Sequence, residues 1–359
     1  MSETTPNTAP PQPDEARAAD PSAGDPRVFD GPALAPRFRP RAPEGPPGLL
    51  RRLHLALRDR LPDAWVVRRN YYHRFGYYPD LDRPRLLSEK INWLKLNGAT
   101  PLHTLCADKI RVRDWVADRI GPEHLVRAIL TTYDPDDITP ERIPDAQFVV
   151  KANHDTGSVT ICTDRDAFDW QGCREAMRTA LATPFWRRQR ERHYRDIRPG
   201  IIVEEMLVPD DPVVGLTDYK FHCCHGEPSH IELQIRPPGE IYNATYSTDW
   251  KRLPWLLLAE LYDSPQWPGD IPRPSRLDEM LAIARTLAEP FPFARVDLYE
   301  VAGRVLFGEM SFTPAAGLER AEYIDRGDDP TRLDAELGQR LDIRRAQAQL
   351  AEIRAQYGT

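Results

Sequence analysis

The chain has 359 residues, with 48 Lys and Arg against 55 Asp and Glu for a formal net charge of -7, a length that holds two modest domains or one elaborated one. That acidic balance gives no support to bulk nucleic-acid binding, and no apolar run approaches a transmembrane helix. Five cysteines without a CxxC pair argue against a disulfide framework and for thiols in a reducing compartment.

Residues 1–47 are rich in Pro, Ala, Asp and Arg, with almost no apolar periodicity. Such a segment cannot bury enough surface to offset its chain entropy, and a disordered tail is expected. It carries neither the basic start nor the hydrophobic core of a secretory signal, so the protein is expected in the cytoplasm. From Leu49 to Arg58 runs a basic amphipathic helix. Two placements are open for residues 49–60: peripheral contact with the anionic inner face of a membrane, or docking on the domain, which is the more economical. The aromatic cluster Tyr71-Tyr72-His73-Arg74-Phe75-Gly76-Tyr77-Tyr78 is expected beneath the next helix rather than stacked on a ligand. That helix starts at Ser88-Glu89-Lys90, carries Ile91 and Leu94 and stops at Gly98. A second helix is expected over about 103–120, with Val112, Trp115, Val116 and Ile120 on one stripe. Lys109, Arg111 and Arg113 form a basic set near its start.

From Phe148 the pattern changes to short strands. Phe148-Val149-Val150-Lys151 leads into Asn153-His154-Asp155-Thr156-Gly157-Ser158 and then Val159-Thr160-Ile161. A strand, a polar glycine-containing loop and a strand can form a flap whose N–H groups close over phosphates, with Lys151 as a point charge. It is not the Walker pattern, and a hairpin with Gly-Ser is common. A basic helix follows through Trp186–Arg192. Ile201 to Leu207 reads as a strand with Glu204 and Glu205 at its exit. If these two are structural, one lies exposed at a sheet edge and the other is salt-bridged. Leu216–Cys223 and Ser229–Ile235 form a hairpin, on which Lys220 is either a solvent-face lysine or a second phosphate ligand. Residues 236–274 read as loop-rich, with Arg236, Asn243, Asp249 and Trp250 as candidate substrate-reading groups. Ser275 is expected to cap a helix bearing Leu277, Leu281, Ala284 and Ala288, ended by Pro290. Leu333, Leu337, Leu341, Leu350 and Ile353 suggest one or two closing helices.

The stretch Phe293–Gly317 concentrates the polar residues that a buried hairpin should not carry. Arg295 and Asp297 share one side of its first strand, and Glu309 and Ser311 one side of its second. A two-residue turn at Ala302-Gly303 would pair Asp297 with Gly308 and send Glu309 to the opposite face. A three-residue loop Val301-Ala302-Gly303 pairs Arg295 with Glu309 and gathers all four on one face. The second register is expected, because it sets two carboxylates as diagonal neighbours roughly 7 Å apart at the backbone, where they can bridge magnesium. Three lysines and a flap suit polyphosphate, carboxylates suit magnesium, and a strand exit with apolar neighbours suits adenine.

In this order the parts resemble the ATP-grasp superfamily, and more narrowly its TupA-like branch, associated with teichuronopeptide and other cell-surface polysaccharide biosynthesis. The resemblance covers roughly residues 72–317. It rests on Leu87-Ser88-Glu89-Lys90-Ile91-Asn92-Trp93-Leu94-Lys95, Ala107-Asp108-Lys109, Phe148-Val149-Val150-Lys151-Ala152-Asn153-His154, Asp218-Tyr219-Lys220-Phe221, Phe293-Ala294-Arg295-Val296-Asp297-Leu298-Tyr299 and Phe307-Gly308-Glu309-Met310-Ser311-Phe312. It implies an α+β ATP-grasp fold, two α+β subdomains clasping ATP between antiparallel sheets behind a helical N-terminal region. The corresponding segments are a tail over 1–47, a helical region over 48–145, a small flap subdomain over 146–212, a large subdomain over 213–325 and closing helices over 326–359.

The resemblance further implies that Lys109 and Lys151 bind ATP phosphates beneath a flap carrying Gly157 and Ser158. Glu204 would accept from the adenine amino group, Met206 and Leu207 would line the base, and Lys220 would sit near the phosphates or adenine. Asp297 and Glu309 would hold Mg2+, and Arg295 would stabilise the transferring phosphoryl group and the tetrahedral intermediate. Where many members carry Glu-x-Asn, this chain has Glu309-Met310-Ser311, a hydroxyl in place of an amide ligand. The implied activity is an ATP-dependent carboxylate–amine ligase using a small-molecule or glycopolymer-precursor substrate and an amine. A glycosyltransferase of the same pathways, an ATP-grasp kinase acting on a sugar hydroxyl and an inactive ATP-binding module are the alternatives. No convincing Asp-x-Asp motif supports the glycosyltransferase, since Asp134-Pro135-Asp136-Asp137 reads as a turn.

Overall fold

The computed structural model of the chain describes residues 60–258, 265–324, 329 and 331–358. The expected tail over 1–47 and the basic helix from Leu49 to Arg58 lie outside the described residues. Helix α1 (Asp63–Phe75) buries Val66, Val67 and Tyr71 and ends at Gly76, whose φ of 81° lets its N–H reach Tyr72 O. The aromatic cluster packs only in part as expected: Tyr71 stacks on Phe75 at 4.2 Å and its hydroxyl meets Ser88 Oγ at 2.8 Å, whereas Tyr72 and Tyr78 stack on each other and are exposed. Helix α2 (Leu87–Asn97) begins where the Glu89 carboxylate accepts the N–H groups of Asp80, Arg85 and Leu86 at 2.9, 2.9 and 3.1 Å.

The single helix expected over 103–120 is two, α3 (Pro101–Ala107) and α4 (Val112–Ile120). Asp108 breaks it. Its backbone leaves the helical region (φ -79°, ψ 109°) and its carboxylate accepts from Ile110 N at 2.9 Å and Asn153 Nδ2 at 2.8 Å, a side chain competing with the helix for backbone donors. Lys109 therefore stands in a turn rather than on a helix face.

Four strands, β1 (Ala128–Thr132), β2 (Phe148–Ala152), β3 (Val159–Cys162) and β4 (Ile201–Glu205), form an antiparallel sheet in the order β1-β4-β2-β3. Its apolar face, with Phe148, Val150, Ala152, Ile201 and Val203, packs on helix α5 (Trp170–Leu181) through Cys173, Met177 and Ala180. Strand β1 places the start of this sheet ahead of residue 146.

The larger sheet takes β5 (Leu216–Cys224), β6 (Glu227–Arg236), β7 (Tyr242–Tyr246), β9 (Phe293–Val301) and β10 (Arg304–Ser311) in the antiparallel order β10-β9-β5-β6-β7. Strand β8 (Trp255–Leu258) pairs instead with β11 (Arg320–Tyr323), so residues 236–274 hold two strands rather than loop alone. His225 and Gly226, at φ 53° and 85°, make the tight turn between β5 and β6. Helix α6 (Leu277–Ala288) covers one sheet face, with Met280, Ala284 and Leu287 among Phe221, Leu233, Val296 and Leu298. Ser275 does not cap α6; its hydroxyl donates to Glu300 instead. Helices α7 (Arg332–Gly338) and α8 (Ile343–Tyr357) close the chain.

Buried histidines make stability pH-dependent, among them His103 on α3 and His193. Burial holds His103 and His193 down to about 3 each, against 6.5 when unfolded. Below the unfolded value the open chain takes up protons that the folded chain refuses, so stability falls as pH drops. Each should remove about 1.4 kcal/mol per pH unit below roughly pH 6. Urea midpoints between neutral and mildly acidic pH will show this slope, to which buried His230 adds, and His193→Phe should reduce it by about 1.4 kcal/mol per pH unit.

Candidate active site

The hairpin of β9 and β10 turns on two residues, not three. Ala302 and Gly303 both have positive φ, 51° and 68°, and Val301 pairs with Arg304, the mirror-image turn that matches strand twist. The extra residue appears further on, at Gly308, as a bulge between the pairs Phe307–Leu298 and Glu309–Asp297. The expected partner of Arg295 is thus replaced: Glu309 faces Asp297 and Ser311 faces Arg295. A Cβ at Gly308 would lie 2.9 Å from the Tyr299 ring and 3.0 Å from Asp297 O, so the bulge requires glycine. All four polar side chains still reach one face. Arg295 grips Asp297 with two bonds of 2.7 Å and reaches Glu309 at 3.3 Å and Ser311 at 3.2 Å.

The rest of that sheet face extends the cluster in cross-strand rows. One row runs Thr245–Glu232–Lys220–Asp297–Glu309 across all five strands, and the next runs His230–His222–Arg295–Ser311. Lys220 is buried, not solvent-facing, with Nζ at 2.8 Å from Asp297 and 3.4 Å from Asp218. Arg236 completes the chain of charges by pairing with Asp218 at 2.6 Å. Burial works to raise the Asp297 carboxyl, but Arg295 and Lys220 outweigh it and hold it below its ordinary value. Glu319, just ahead of β11, is pushed up to about 8 by burial and by Glu232, against the pull of Arg295 and Lys220.

The small sheet carries the remaining candidate groups. Lys151 on β2 meets Glu204 on β4 at 2.7 Å, and Arg113 of α4 meets the same carboxylate at 3.0 Å. Glu205 is also ion-paired, with Arg127 at 3.1 Å, so neither acid is idle. Met206 and Leu207 leave β4 half-buried. Lys109 Nζ bonds Asp155 O, Gly157 has φ 106°, and the Ser158 hydroxyl donates to Asp155. Asn153 braces this loop by donating to Asp108 and Arg198 O, at 2.8 and 3.0 Å, and accepting from Gly200 N at 2.6 Å.

The segments flanking the small sheet are tied to the β9–β10 hairpin. Before β1, Leu125 bridges Phe307 and His124 Nδ1 meets Val305 O at 2.9 Å. After β4, the Asp210 carboxylate accepts from Ala302 N at 3.0 Å. Burial foremost, then Glu191, pushes the Tyr194 hydroxyl up, with smaller pushes from Glu309 and Asp155 and an opposing pull from Arg295.

Some sequence candidates fall elsewhere. Trp250 stacks on Tyr246 at 4.4 Å and donates to Ile271 O at 2.9 Å, on the apolar side of the sheet. Asp249 is half-exposed against Lys251. Asn243 does lie on the polar face beside Gln234, its Oδ1 without a partner. Residues 135–137 form the expected turn, with Asp134 accepting from Asp136 N at 2.9 Å. All five thiols are buried and unpaired. Sequence reasoning left Asp218, Glu232 and Glu319 without a role. Alternation along β5 and β6 was the available signal for the first two.

No curated protein matches the sequence. Among solved structures, the chain is similar to the D-alanine–D-alanine ligase of Bacillus anthracis, at 15% identity over 74% of this chain and 76% of that one, TM-score 0.38. It is also similar to the ATP-grasp ligase PsnB complexed with minimal precursor, at 11% identity over 73% and 68%, TM-score 0.37. The D-alanine–D-alanine ligase of Helicobacter pylori aligns at 12% identity over 66% and 62%, TM-score 0.34. Scores this low carry no argument about this chain. The family match is of another order: the TupA-like ATPgrasp model spans residues 89–341, from Glu89 at the head of α2 through both sheets to Leu341 between the two closing helices, and the chain belongs to that family.

Proposed function

We propose that this chain is an ATP- and Mg2+-dependent carboxylate–amine ligase that activates a carboxylate as an acylphosphate and passes it to an amine, on a precursor of a cell-surface polysaccharide. The observation that carries the proposal is the cluster of Arg295, Asp297, Glu309 and Ser311 on one sheet face with Lys220 buried against it. Family membership supplies the ATP-grasp frame, and the polysaccharide role rests on the TupA-like resemblance alone.

Asp297 and Glu309 would hold the metal, with the Ser311 hydroxyl beside them. Two carboxylates and a hydroxyl on adjacent strands form a hard oxygen set that suits magnesium, and Arg295 and Lys220 now supply its counter-charge. The ion would neutralise phosphate charge and polarise the transferring group. Lys109 and Lys151 would neutralise the phosphates; when Lys151 turns to them, Arg113 remains to balance Glu204. Glu204 would then accept from the adenine amino group, with Met206 and Leu207 against the base. The loop around Gly157 and Ser158 closes to exclude water, which an acylphosphate requires. Arg295 steadies the oxyanion as the amine attacks. No described helix is long and apolar enough to cross a membrane.

The test uses ATP, Mg2+ and a panel of amino acids and uronic acids as carboxylates, with hydroxylamine as nucleophile. Hydroxamate, ADP and phosphate should appear in equal amounts. Lys151→Ala should raise the KM for ATP by roughly ten-fold or more, the worth of a lost charged hydrogen bond. Phosphate retained on a hydroxyl product would make the protein a kinase. Turnover that needs a sugar nucleotide in place of ATP would make it a glycosyltransferase, and an unchanged Lys151→Ala enzyme would remove the nucleotide site.

A further inference from the structure

Helix α1 carries large apolar side chains on two opposite stripes. The stripe that faces the fold holds Val66, Val67 and Tyr71, all buried. Positions 65, 69 and 72 fall together on the other side at helical spacing, and there the chain places Trp65, Arg69 and Tyr72, each exposed. Trp65 keeps 50% of its surface in solvent and Tyr72 43%; Tyr78, stacked on Tyr72 at 4.7 Å, keeps 65%. Arg68, half-buried, flanks the same stripe. Of the eight tryptophans only Trp65 is exposed. Apolar residues exposed one by one are ordinary, but stacked rings along a solvent-facing stripe mark a contact surface.

The charge around these rings selects the partner. Residues 51–85 hold nine Arg and four Asp, with no Lys or Glu, in a chain of net charge -7. Asp63 is engaged within the fold, by Arg190 at 3.2 Å and Arg192 at 2.7 Å, and Asp80 accepts from Asp82 N and Arg83 N at 3.1 and 2.8 Å. The patch is thus aromatic and basic on an otherwise acidic protein. Indole and phenol, each an apolar body with a polar edge, settle at the headgroup level of a bilayer, and arginine beside them gains from anionic lipid. The basic run from Leu49 to Arg58 leads into α1 but is a poor cover for this face, since Arg51, Arg52 and Arg58 would meet Arg68 and Arg69 with like charge. An anionic surface attracts both.

We infer that Trp65, Tyr72 and Tyr78, with Arg68 and Arg69, form a docking face for an anionic lipid bilayer, on which the protein rests peripherally. The inference goes beyond the ligase proposal and does not depend on it. Because the same lipid repels the acidic remainder of the surface, the patch also sets which side approaches.

The full-length protein is sedimented with vesicles of phosphatidylcholine alone or mixed with phosphatidylglycerol. Wild type should bind the mixed vesicles and not the neutral ones, and added salt should weaken binding. One arginine near such a surface is worth roughly five-fold in affinity, so Arg68→Gln/Arg69→Gln should lose roughly ten-fold or more. Trp65→Ser/Tyr72→Ser should lose a similar factor through the buried ring area. Both pairs lie away from the buried stripe, so melting temperatures should stay near wild type. Tyr133→Ser, at an exposed ring elsewhere that lies 3.8 Å from Arg198, should bind as wild type does. Brominated lipid chains should quench tryptophan emission, and in Trp65→Phe, which still binds, that quenching should fall to background.

A wild type that ignores the mixed vesicles, or binds both kinds alike, would overturn the inference, as would patch variants that bind as tightly as Tyr133→Ser. Shielding of Trp65 from aqueous acrylamide in the free protein would overturn it in favour of residues 49–58 covering the patch. A dimer in sedimentation velocity that Trp65→Ser/Tyr72→Ser dissociates would overturn it in favour of a second copy of the chain.

Discussion

Arg295→Met should lower ATP-dependent hydroxamate formation by about 10²–10³-fold, the loss seen when one preorganised donor to a developing oxyanion is removed. The protein should remain folded, because the charges around the vacancy are still partly matched. Asp297 would retain Lys220 at 2.8 Å, so the stability cost belongs nearer the ~1–3 kcal/mol of an unsatisfied buried group than the ~3–5 kcal/mol of a buried ion stripped of its partner. Arg295→Lys divides the two effects. An ammonium restores a positive charge but cannot reproduce the planar fork that now meets Asp297 twice and also reaches Glu309 and Ser311. Thermal melting should therefore return toward wild type in the lysine variant while the rate stays low. A lysine enzyme turning over at the wild-type rate would show that the guanidinium geometry is dispensable, and its assigned role would be lost.

The residues of this centre were legible because alternation along a strand assigns them to faces, and four polar groups on an otherwise apolar hairpin need a reason. Their register was not legible. Both candidate loops used Ala302 and Gly303, and nothing in the local pattern announces that the additional residue sits at Gly308, where the Tyr299 ring and Asp297 O crowd the backbone. Similarly, the helical stripe Val112, Trp115, Val116 and Ile120 reads correctly for α4, but the break before it depends on Asp108 binding Asn153, a partner 45 positions away. Glu204 illustrates the same limit. Its strand and exit position follow from the apolar run before it, whereas its pairing with both Lys151 and Arg113 is tertiary. The turn after β10 is the extreme case: Ala315 and Ala316 have φ of 45° and 57° without any sequence signal for it, and Lys95, Asn92 and Arg74, more than 200 positions earlier, bond the carbonyls of Ala316, Gly317 and Leu318.

The bulge itself offers the second large effect. Gly308→Val would place a branched side chain where a Cβ alone already lies 2.9 Å from the Tyr299 ring and 3.0 Å from Asp297 O. Relief by overpacking alone costs ~1–3 kcal/mol, but the backbone has another route, which is to abandon the bulge and slide. A slide by one residue would turn Glu309 and Ser311 to the α6 side, since side-chain direction alternates along a strand. Loss of one of two carboxylates from the metal pair should then reduce turnover by roughly 10²-fold or more and raise the Mg2+ concentration needed for half-maximal rate.

Deleting Gly308 is the informative companion. With the extra residue gone, Phe307 would still oppose Leu298 and Glu309 would follow directly opposite Asp297, preserving the pairs now present on either side of the bulge. The deletion should therefore retain more activity than the valine substitution, although it removes a residue that the substitution keeps. If instead the valine enzyme is the more active of the two, the position of Glu309 opposite Asp297 is not what the reaction depends on. The metal would then have to be sought among other acids of the same sheet face, with Glu232 and Asp218 the first to replace.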